Sequence, residues 1–365
     1  MCHRKKKKRV ILGMSGGVDS SVAALLLLEK GYEVRGVYMR NWSRDLPSMK
    51  CPWARDLADA KRVATRLGIP FEVWDFEKEY YQSVIEPMLE AYRNGETPNP
   101  DVLCNQTIKF DLFARRALEA GADYIATGHY ARVSPDGELL MAKDENKDQT
   151  YFLYRVSSEA LKKTIFPLGE MMKTEVKEIA ASERLDVINK KESMGVCFVG
   201  EANIKEFLQE YLPAEVFKSG RFIDMETGET LGYNEGAIFY TIGQRHGLYI
   251  ASDLPYYVAR KDLSSGDVWV TKNLNNSALW AKSLSLKNVH SICGSGGASG
   301  GKILAGKYFI RTRHQAALLQ AEWDGSSQVE FEEEQKVVSP GQSVVFYDEK
   351  QEKCLGGGIC LEGGK

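Results

Sequence analysis

The chain has 365 residues, 43% of them hydrophobic, more than one ordinary domain of ~100 to 200 residues requires and enough for several cores. Its 48 Lys and Arg stand against 50 Asp and Glu for a net charge of -2; with no overall positive field, a nucleic-acid partner would have to be held by local basic faces. No stretch approaches the ~18 apolar residues of a membrane span, so a cytoplasmic protein without a membrane partner is expected.

The basic run Met1 to Arg9 reads as a solvated tail. Val10 to Met14 then predicts a buried strand and Ser20 to Lys30 a helix entered through glycines. The connection, Gly13-Met14-Ser15-Gly16-Gly17-Val18-Asp19-Ser20-Ser21, has the makings of an anion cradle: consecutive glycines aim backbone N–H groups at one point, and the helix N-terminus adds partial positive charge. Ser15, Ser20 and Ser21 offer hydroxyls to phosphate oxygens, and Asp19 offers a carboxylate to a magnesium ion accompanying them. The loop is no Walker A motif, since no Lys-Ser/Thr follows it.

Further strands are expected at Glu33 to Met39, Phe71 to Asp75 and Tyr124 to Thr127. Helices are expected where Leu57, Ala60, Ala64 and Leu67 recur at spacings of three and four, and over Ile108 to Ala120. Alternating strands and helices predict an α/β fold with a doubly wound parallel sheet, whose ligands lie beyond the carboxyl ends of the strands.

Two cysteine segments lie within or just after this region. In Thr97-Pro98-Asn99-Pro100-Asp101-Val102-Leu103-Cys104-Asn105, prolines rigidify the approach to a helix, and a thiol near that helix N-terminus tends toward thiolate character. Asp101 could exchange protons at a reacting atom. Cys197 lies in Gly195-Val196-Cys197-Phe198-Val199-Gly200, a short apolar run between glycines. Taken singly, each cysteine reads equally as a small buried hydrophobe. The seven cysteines are scattered without a C-x-x-C pair, which speaks against a disulfide framework or a zinc site, and no histidine metal site is expected.

After about residue 205 helical periodicity fades into turn-rich aromatic segments, and from Ala278 short strands dominate: Ile303 to Thr312, Ala316 to Trp323, Gln328 to Phe331 and Ser343 to Tyr347. We therefore expect three domains: 1–205 for nucleotide binding and catalysis, 206–277 as a small central domain, and 278–365 as a C-terminal β-barrel. Cys293 to Gly301 reads as a glycine- and serine-rich loop.

The phosphate loop resembles that of PP-loop pyrophosphatases, which cleave ATP between the α and β phosphates and pass AMP to a substrate oxygen. The loop alone leaves several enzymes open, GMP synthetase and NAD synthetase among them. Together with Tyr38-Met39-Arg40-Asn41-Trp42, Asn99 to Cys104, Ala126-Thr127-Gly128-His129-Tyr130, Lys147 to Leu153, Gly195 to Gly200, Thr241-Ile242-Gly243-Gln244-Arg245 and Ser339 to Ser343, it resembles the tRNA-specific 2-thiouridylase family over nearly the whole chain.

That resemblance implies ATP binding by Gly13, Met14, Ser15, Gly16, Gly17, Val18, Asp19, Ser20, Met39 and Gly128, with Mg2+ accompanying the nucleotide. It implies that Asn99, Pro100 and Asp101 meet the target uridine, and that His129, Lys147, Asp148, Gln149, Arg311, Thr312 and Gln342 contact the anticodon stem-loop of tRNA. Thr312 stands where the family usually has an aromatic residue. Cys197 would carry a persulfide received from a cysteine desulfurase or a sulfur-relay protein, and Cys104 would be the partner thiol that ends each turnover in a Cys104–Cys197 disulfide. The expected reaction is replacement of the C2 oxygen of the wobble uridine by sulfur. A PP-loop amidating synthetase akin to GMP synthetase is the enzymatic alternative, but it gives the two cysteines no task. A tRNA-binding protein without catalysis is the other, and it would not need an intact phosphate loop.

Overall fold

The computed structural model describes residues 7–47, 50–188, 190, 204–292 and 301–364. Cys197 and its glycine-flanked segment, most of the N-terminal basic run and the glycine- and serine-rich stretch 293–300 lie outside them.

The first sheet is parallel, in the order β3-β2-β1-β4-β7, built from β1 (Arg9–Gly13), β2 (Glu33–Arg40), β3 (Phe71–Asp75), β4 (Tyr124–Ala126) and β7 (Thr164–Ile165). In β1 the run Val10, Ile11, Leu12 and Gly13 is buried throughout, the pattern of a strand covered on both faces. Two apolar cores sandwich it: Ile11, Val37 and Ile125 on one side, Val10, Leu12 and Val34 on the other. α1 (Val18–Glu29) follows β1, and α2 (Trp53–Leu67) buries Ala60, Val63 and Ala64 and ends at Gly68, whose left-handed backbone (φ 66°) closes the helix. The strand order reverses between β1 and β4, so the crevice beyond their carboxyl ends is where a ligand belongs in such a sheet.

The helix expected from Ile108 begins earlier. It runs continuously from Pro100 as α3: α-helical over Pro100–Leu103, π-helical over Cys104–Leu112 and α-helical over Phe113–Glu119. Proline at the first helical position lacks only an amide that would be unpaired there, so it starts the helix where an interior proline would break it.

The central sheet has the order β10-β11-β8-β9, from β8 (Gly220–Asp224), β9 (Thr230–Asn234), β10 (Tyr257–Lys261) and β11 (Val268–Thr271). The C-terminal strands close on themselves: β12 (Trp280–Ser291), β15 (Gln328–Lys336), β14 (Leu319–Trp323), β13 (Gly306–Arg311), β16 (Ser343–Tyr347) and β17 (Lys353–Gly364), with β17 pairing back to β12. The barrel is antiparallel and six-stranded. Its last strand, Lys-Cys-Leu-Gly-Gly-Gly-Ile-Cys, reads as turn rather than strand in sequence. The glycines serve close approach: a Cβ on Gly356 would lie 2.1 Å from the His290 carbonyl oxygen, and one on Gly357 2.5 Å from that of Val344.

The barrel is joined to the nucleotide-binding part by backbone and by charge. A hairpin of β5 (Arg132–Val133) and β6 (Leu139–Leu140) extends β17, with Leu139 opposite Cys354 and Leu140 opposite Lys353. Val345 and Tyr347 of β16 pack in the same core as Val102 and Tyr151. Within this apolar joint Asp148, fully buried, accepts a 3.0 Å bond from Arg311 Nη1, a 2.6 Å bond from the Thr150 hydroxyl and a 3.0 Å bond from the Ala142 amide. Burial pushes the Asp148 carboxyl above its ordinary value while those donors and Arg311 oppose the shift. Removing one partner leaves the other buried and uncompensated, at about 3 to 5 kcal/mol. Arg311→Met is therefore expected to lower unfolding stability in urea by about that much, and Asp148→Asn with Arg311→Met to recover a large part of it. A single variant as stable as the parent would show that the pair contributes nothing to the joint.

Candidate active site

The phosphate loop leaves β1 at Gly13 and turns into α1 at Gly17, the N-cap residue. Gly16 has φ 75°, a backbone that L side chains avoid, and a Cβ there would lie 2.2 Å from the Asp56 carbonyl oxygen at the start of α2. Lys190 ties the same contact from outside, its Nζ reaching Gly16 O at 3.0 Å and Asp56 Oδ1 and Asp59 Oδ2 at 2.7 Å each. Ser15 is exposed at the mouth, and its amide donates to Ser20 Oγ at 3.2 Å. The Ser20 and Ser21 hydroxyls both bond to the Gly17 carbonyl, at 3.1 and 2.8 Å. Ser21 is fully buried, so the expectation that its hydroxyl faces phosphate is corrected: it holds the first turn of the helix.

Asp19 is organised by two residues distant in sequence. Its Oδ1 accepts 2.9 Å from Tyr130 Oη and 2.6 Å from Lys173 Nζ, while Lys173, nearly buried, also lies 5.7 Å over the Tyr130 ring. Sequence reasoning placed Lys173 among surface cations. Its position at the start of the helix Lys173–Ser182 gives no signal of a partner 154 residues away. The two bonds on one oxygen leave Asp19 Oδ2 for a cation on the nucleotide, and Lys173 brings a fixed positive charge beside the phosphate loop. Among the described residues no group of three or more His, Cys, Asp or Glu side chains could hold a metal by itself.

Gly128, after β4, completes the cradle. A Cβ on it would lie 2.8 Å from Ser20 N and 3.0 Å from Asp19 C, so only glycine lets the two loops meet across the switch point. Met39 at the end of β2 reaches over Gly13, where an added Cβ would stand 2.8 Å from its Cε. Nearby Asn41 Oδ1 is buried with no partner among the described residues, an acceptor left for a ligand's N–H. These residues form a cradle that a side chain would fill and that an adenine nucleotide suits.

His129 follows immediately and faces α3. Its ring is 5.7 Å from Phe110 and 6.1 Å from Phe166, and Nδ1 shares a 2.8 Å hydrogen bond with the Thr127 hydroxyl. Burial, aided by the charge of Lys109, holds it well below the usual histidine range, so it meets any partner as a neutral imidazole. Two consecutive residues, Gly128 and His129, thus touch the phosphate loop and the cysteine helix respectively.

The start of α3 is gripped by all three parts of the chain. The Thr97 amide donates to Pro340 O at 2.7 Å, its carbonyl accepts 2.6 Å from Gln342 Nε2, and its hydroxyl is 3.2 Å from that of Thr241. Asn99 and Pro100 follow directly, with Pro100 buried and Asn99 and Asp101 half-buried. Cys104 lies inside the helix and is 1% exposed. The expected depressed thiol is corrected here. Burial pushes it up to about 11, Asp101 adds to the shift and Lys109 opposes it, because the residue sits beyond the helix end and within an apolar core.

The residues expected at tRNA divide. Gln149 Oε1 accepts from the Tyr130 amide at 2.9 Å, and Gln342 holds Thr97; both keep part of their surface. Lys147 is half-buried, its charge helping to push His314 down to about 4. Asp148 and Arg311 are buried against each other, and the Thr312 carbonyl lies 3.4 Å from Tyr151 Oη, so these three act on the interface from within and not by side-chain contact.

Phosphate loop, switch-point glycine and buried thiol define an α/β nucleotide-binding domain that carries a candidate nucleophile beside the nucleotide, joined to two β domains. Family models described as a tRNA methyl transferase HUP domain, a tRNA methyl transferase PRC-barrel domain and an aminomethyltransferase beta-barrel domain match residues 8–201, 205–272 and 282–360. The chain is 44% identical over 360 residues to the tRNA-specific 2-thiouridylase MnmA of Bacillus subtilis (97% of this chain, 95% of the relative). It is 45% identical to that of Listeria innocua (96% and 94%) and 43% to that of Francisella tularensis (98% and 100%). The chain belongs to the tRNA-specific 2-thiouridylase family.

Gly128→Ala is expected to weaken ATP binding at least about tenfold by forcing the loops apart, measurable by isothermal titration calorimetry; unchanged affinity would remove Gly128 from the cradle. Acidification gives a second outcome. Burial lowers His129, His290 and His314, so the fold favours their neutral forms. The stability they confer is complete above the unfolded value near 6.5 and is lost as pH falls below it. The melting temperature should therefore drop between pH 7 and pH 5, and a flat profile by differential scanning fluorimetry would contradict this.

Proposed function

We propose that the protein thiolates the wobble uridine of tRNA at C2, using ATP and a sulfur atom carried on Cys197. The observation that carries this reading is the pair Gly128 and His129, which spans from the phosphate loop to the helix bearing Asp101 and Cys104. A uridine lying against that helix would place its C2 oxygen toward a nucleotide in the cradle. The domain descriptions speak of methyl transfer, but the full-length relatives are named for thiolation. A phosphate loop and paired cysteines serve adenylation and sulfur transfer, whereas methyl transfer requires neither.

In this mechanism the wobble base is unstacked from the anticodon loop, at a cost of a few kcal/mol that is smallest in single-stranded RNA. The C2 oxygen attacks the α-phosphorus of ATP, and pyrophosphate leaves; Mg2+ on Asp19 and the charge of Lys173 offset the negative charge on the phosphates. The terminal sulfur of the Cys197 persulfide attacks C2, and AMP departs with the oxygen. The Cys104 thiol yields its proton to the Asp101 carboxylate, and its sulfur attacks Sγ of Cys197. That S–S bond breaks with its electrons passing to the sulfur on C2, which becomes the thiocarbonyl. A Cys104–Cys197 disulfide remains, and a dithiol reductant restores it for the next turnover.

Purified protein incubated with ATP, magnesium, unmodified tRNA, cysteine and an active cysteine desulfurase with its relay proteins should yield 2-thiouridine on nucleoside mass spectrometry. Cys104→Ser and Cys197→Ser should each abolish persulfide-dependent thiolation with ATP affinity near the parent's. Full activity of either variant would refute that residue's role, and methylated uridine in place of 2-thiouridine would overturn the reading.

A further inference from the structure

The stretch Cys104–Leu112 is π-helical over nine residues, whereas π turns are mostly single-turn bulges and are frequent at functional sites. Its register has a chemical consequence. The Phe113 amide bonds to the Ile108 carbonyl, five residues back, so a side chain five positions on lies about one turn above its predecessor. In an α-helix it would be rotated away by about 140°. Five residues after Cys104 stands Lys109.

Neighbouring elements hold this register. The Thr107 hydroxyl bonds to Leu103 O at 2.8 Å and to Ser83 Oγ at 3.0 Å in a second π-helical segment, Tyr81–Ile85. Asn105 Nδ2 donates 3.1 Å to the Phe152 carbonyl, and Phe110 is wedged against His129 and Phe166. Lys109 is half-buried between buried Ile108 and Phe110, and its charge acts on both Cys104 and His129. Of the described charged groups, those acting on the thiol are Lys109 and, in opposition, Asp101 from the first turn of α3. From the β4 side His129 presents a neutral ring.

We propose, resting on the reading of Cys104 as the partner thiol, that Lys109 is its positioning residue: the π register holds the ammonium over Sγ, so the thiolate that attacks Cys197 forms beside a fixed positive charge. Lys109 neither gains nor loses a proton in the step, and the thiol proton still goes to Asp101. The arrangement reconciles two demands. An apolar seat keeps the resting thiol protonated and unreactive, and a nearby cation makes its brief ionisation accessible.

The test is alkylation of Cys104 by iodoacetamide in the full-length protein, mapped by peptide mass spectrometry between pH 7 and 9.5 for the parent, Lys109→Met and Lys109→Arg. A cation within about 4 to 6 Å shifts such a group by a unit or more, so Lys109→Met should slow Cys104 alkylation about tenfold at fixed pH, with Lys109→Arg close to the parent. A lysine that merely packs gives the reverse, because loosening the helix exposes the thiol and speeds alkylation in both variants. Equal or faster alkylation in Lys109→Met, or a parent Cys104 unreactive up to pH 9.5, overturns the proposal. The thiolation reading is decided separately by 2-thiouridine formation in the parent, which this measurement does not require.

Discussion

The buried Asp148–Arg311 pair is the constraint on which the geometry of the site depends. It lies in an apolar joint between the nucleotide-binding sheet and the barrel, with Thr150 and Tyr347 bonded around it and the Arg311 guanidinium 5.2 Å over the Tyr347 ring. Such a pair adds little net stability over a well-packed apolar substitute, but it penalises every docking that separates the charges. The fixed barrel presents Pro340 and Gln342 to Thr97. Thr97 in turn sets where the chain enters Pro100 and begins α3, so the position of Asp101 and Cys104 is decided by residues more than two hundred positions away.

Desolvation then works in two directions on the same helix. It keeps His129 neutral and the Cys104 thiol protonated, removing the groups that would otherwise ionise most readily near neutral pH. What remains charged beside the reacting region is Lys109 on one side and Asp19 with Lys173 on the other. A polyanionic nucleotide and a transient thiolate are both favoured by that distribution, while the apolar walls lower the effective dielectric and strengthen each interaction.

The phosphate loop, the parallel sheet and the terminal β-barrel were legible in the sequence because each rests on local pattern: glycines between a strand and a helix, apolar runs alternating with amphipathic periods, short strands between turns. What escaped depended on distant partners. Lys173 reads as a helical surface cation until Asp19 is seen beside it. Asp148 and Arg311 read as polar contacts for a ligand because nothing in a sequence says that two charges separated by 163 residues satisfy each other. Cys104 was read at a helix end because Pro100 and Asn99 look like a loop, yet proline starts the helix there and the thiol falls a full turn inside it. β17 was missed because its glycines signal turns in sequence and close strand approach in the barrel.

The same contrast explains how the cradle and the cysteine helix are joined. Gly128 has no side chain because the backbone of α1 occupies that space, and the next residue, His129, carries a ring that fills the space against Phe110. A one-residue shift in the chain after β4 would drive a ring into the phosphate loop and leave a gap beside α3. Register at the end of this short strand therefore couples the nucleotide to the thiol more tightly than any single hydrogen bond in the site. Ordinary loop variability is excluded here, since both neighbours of the dipeptide are packed backbone or buried aromatic rings that cannot give way independently.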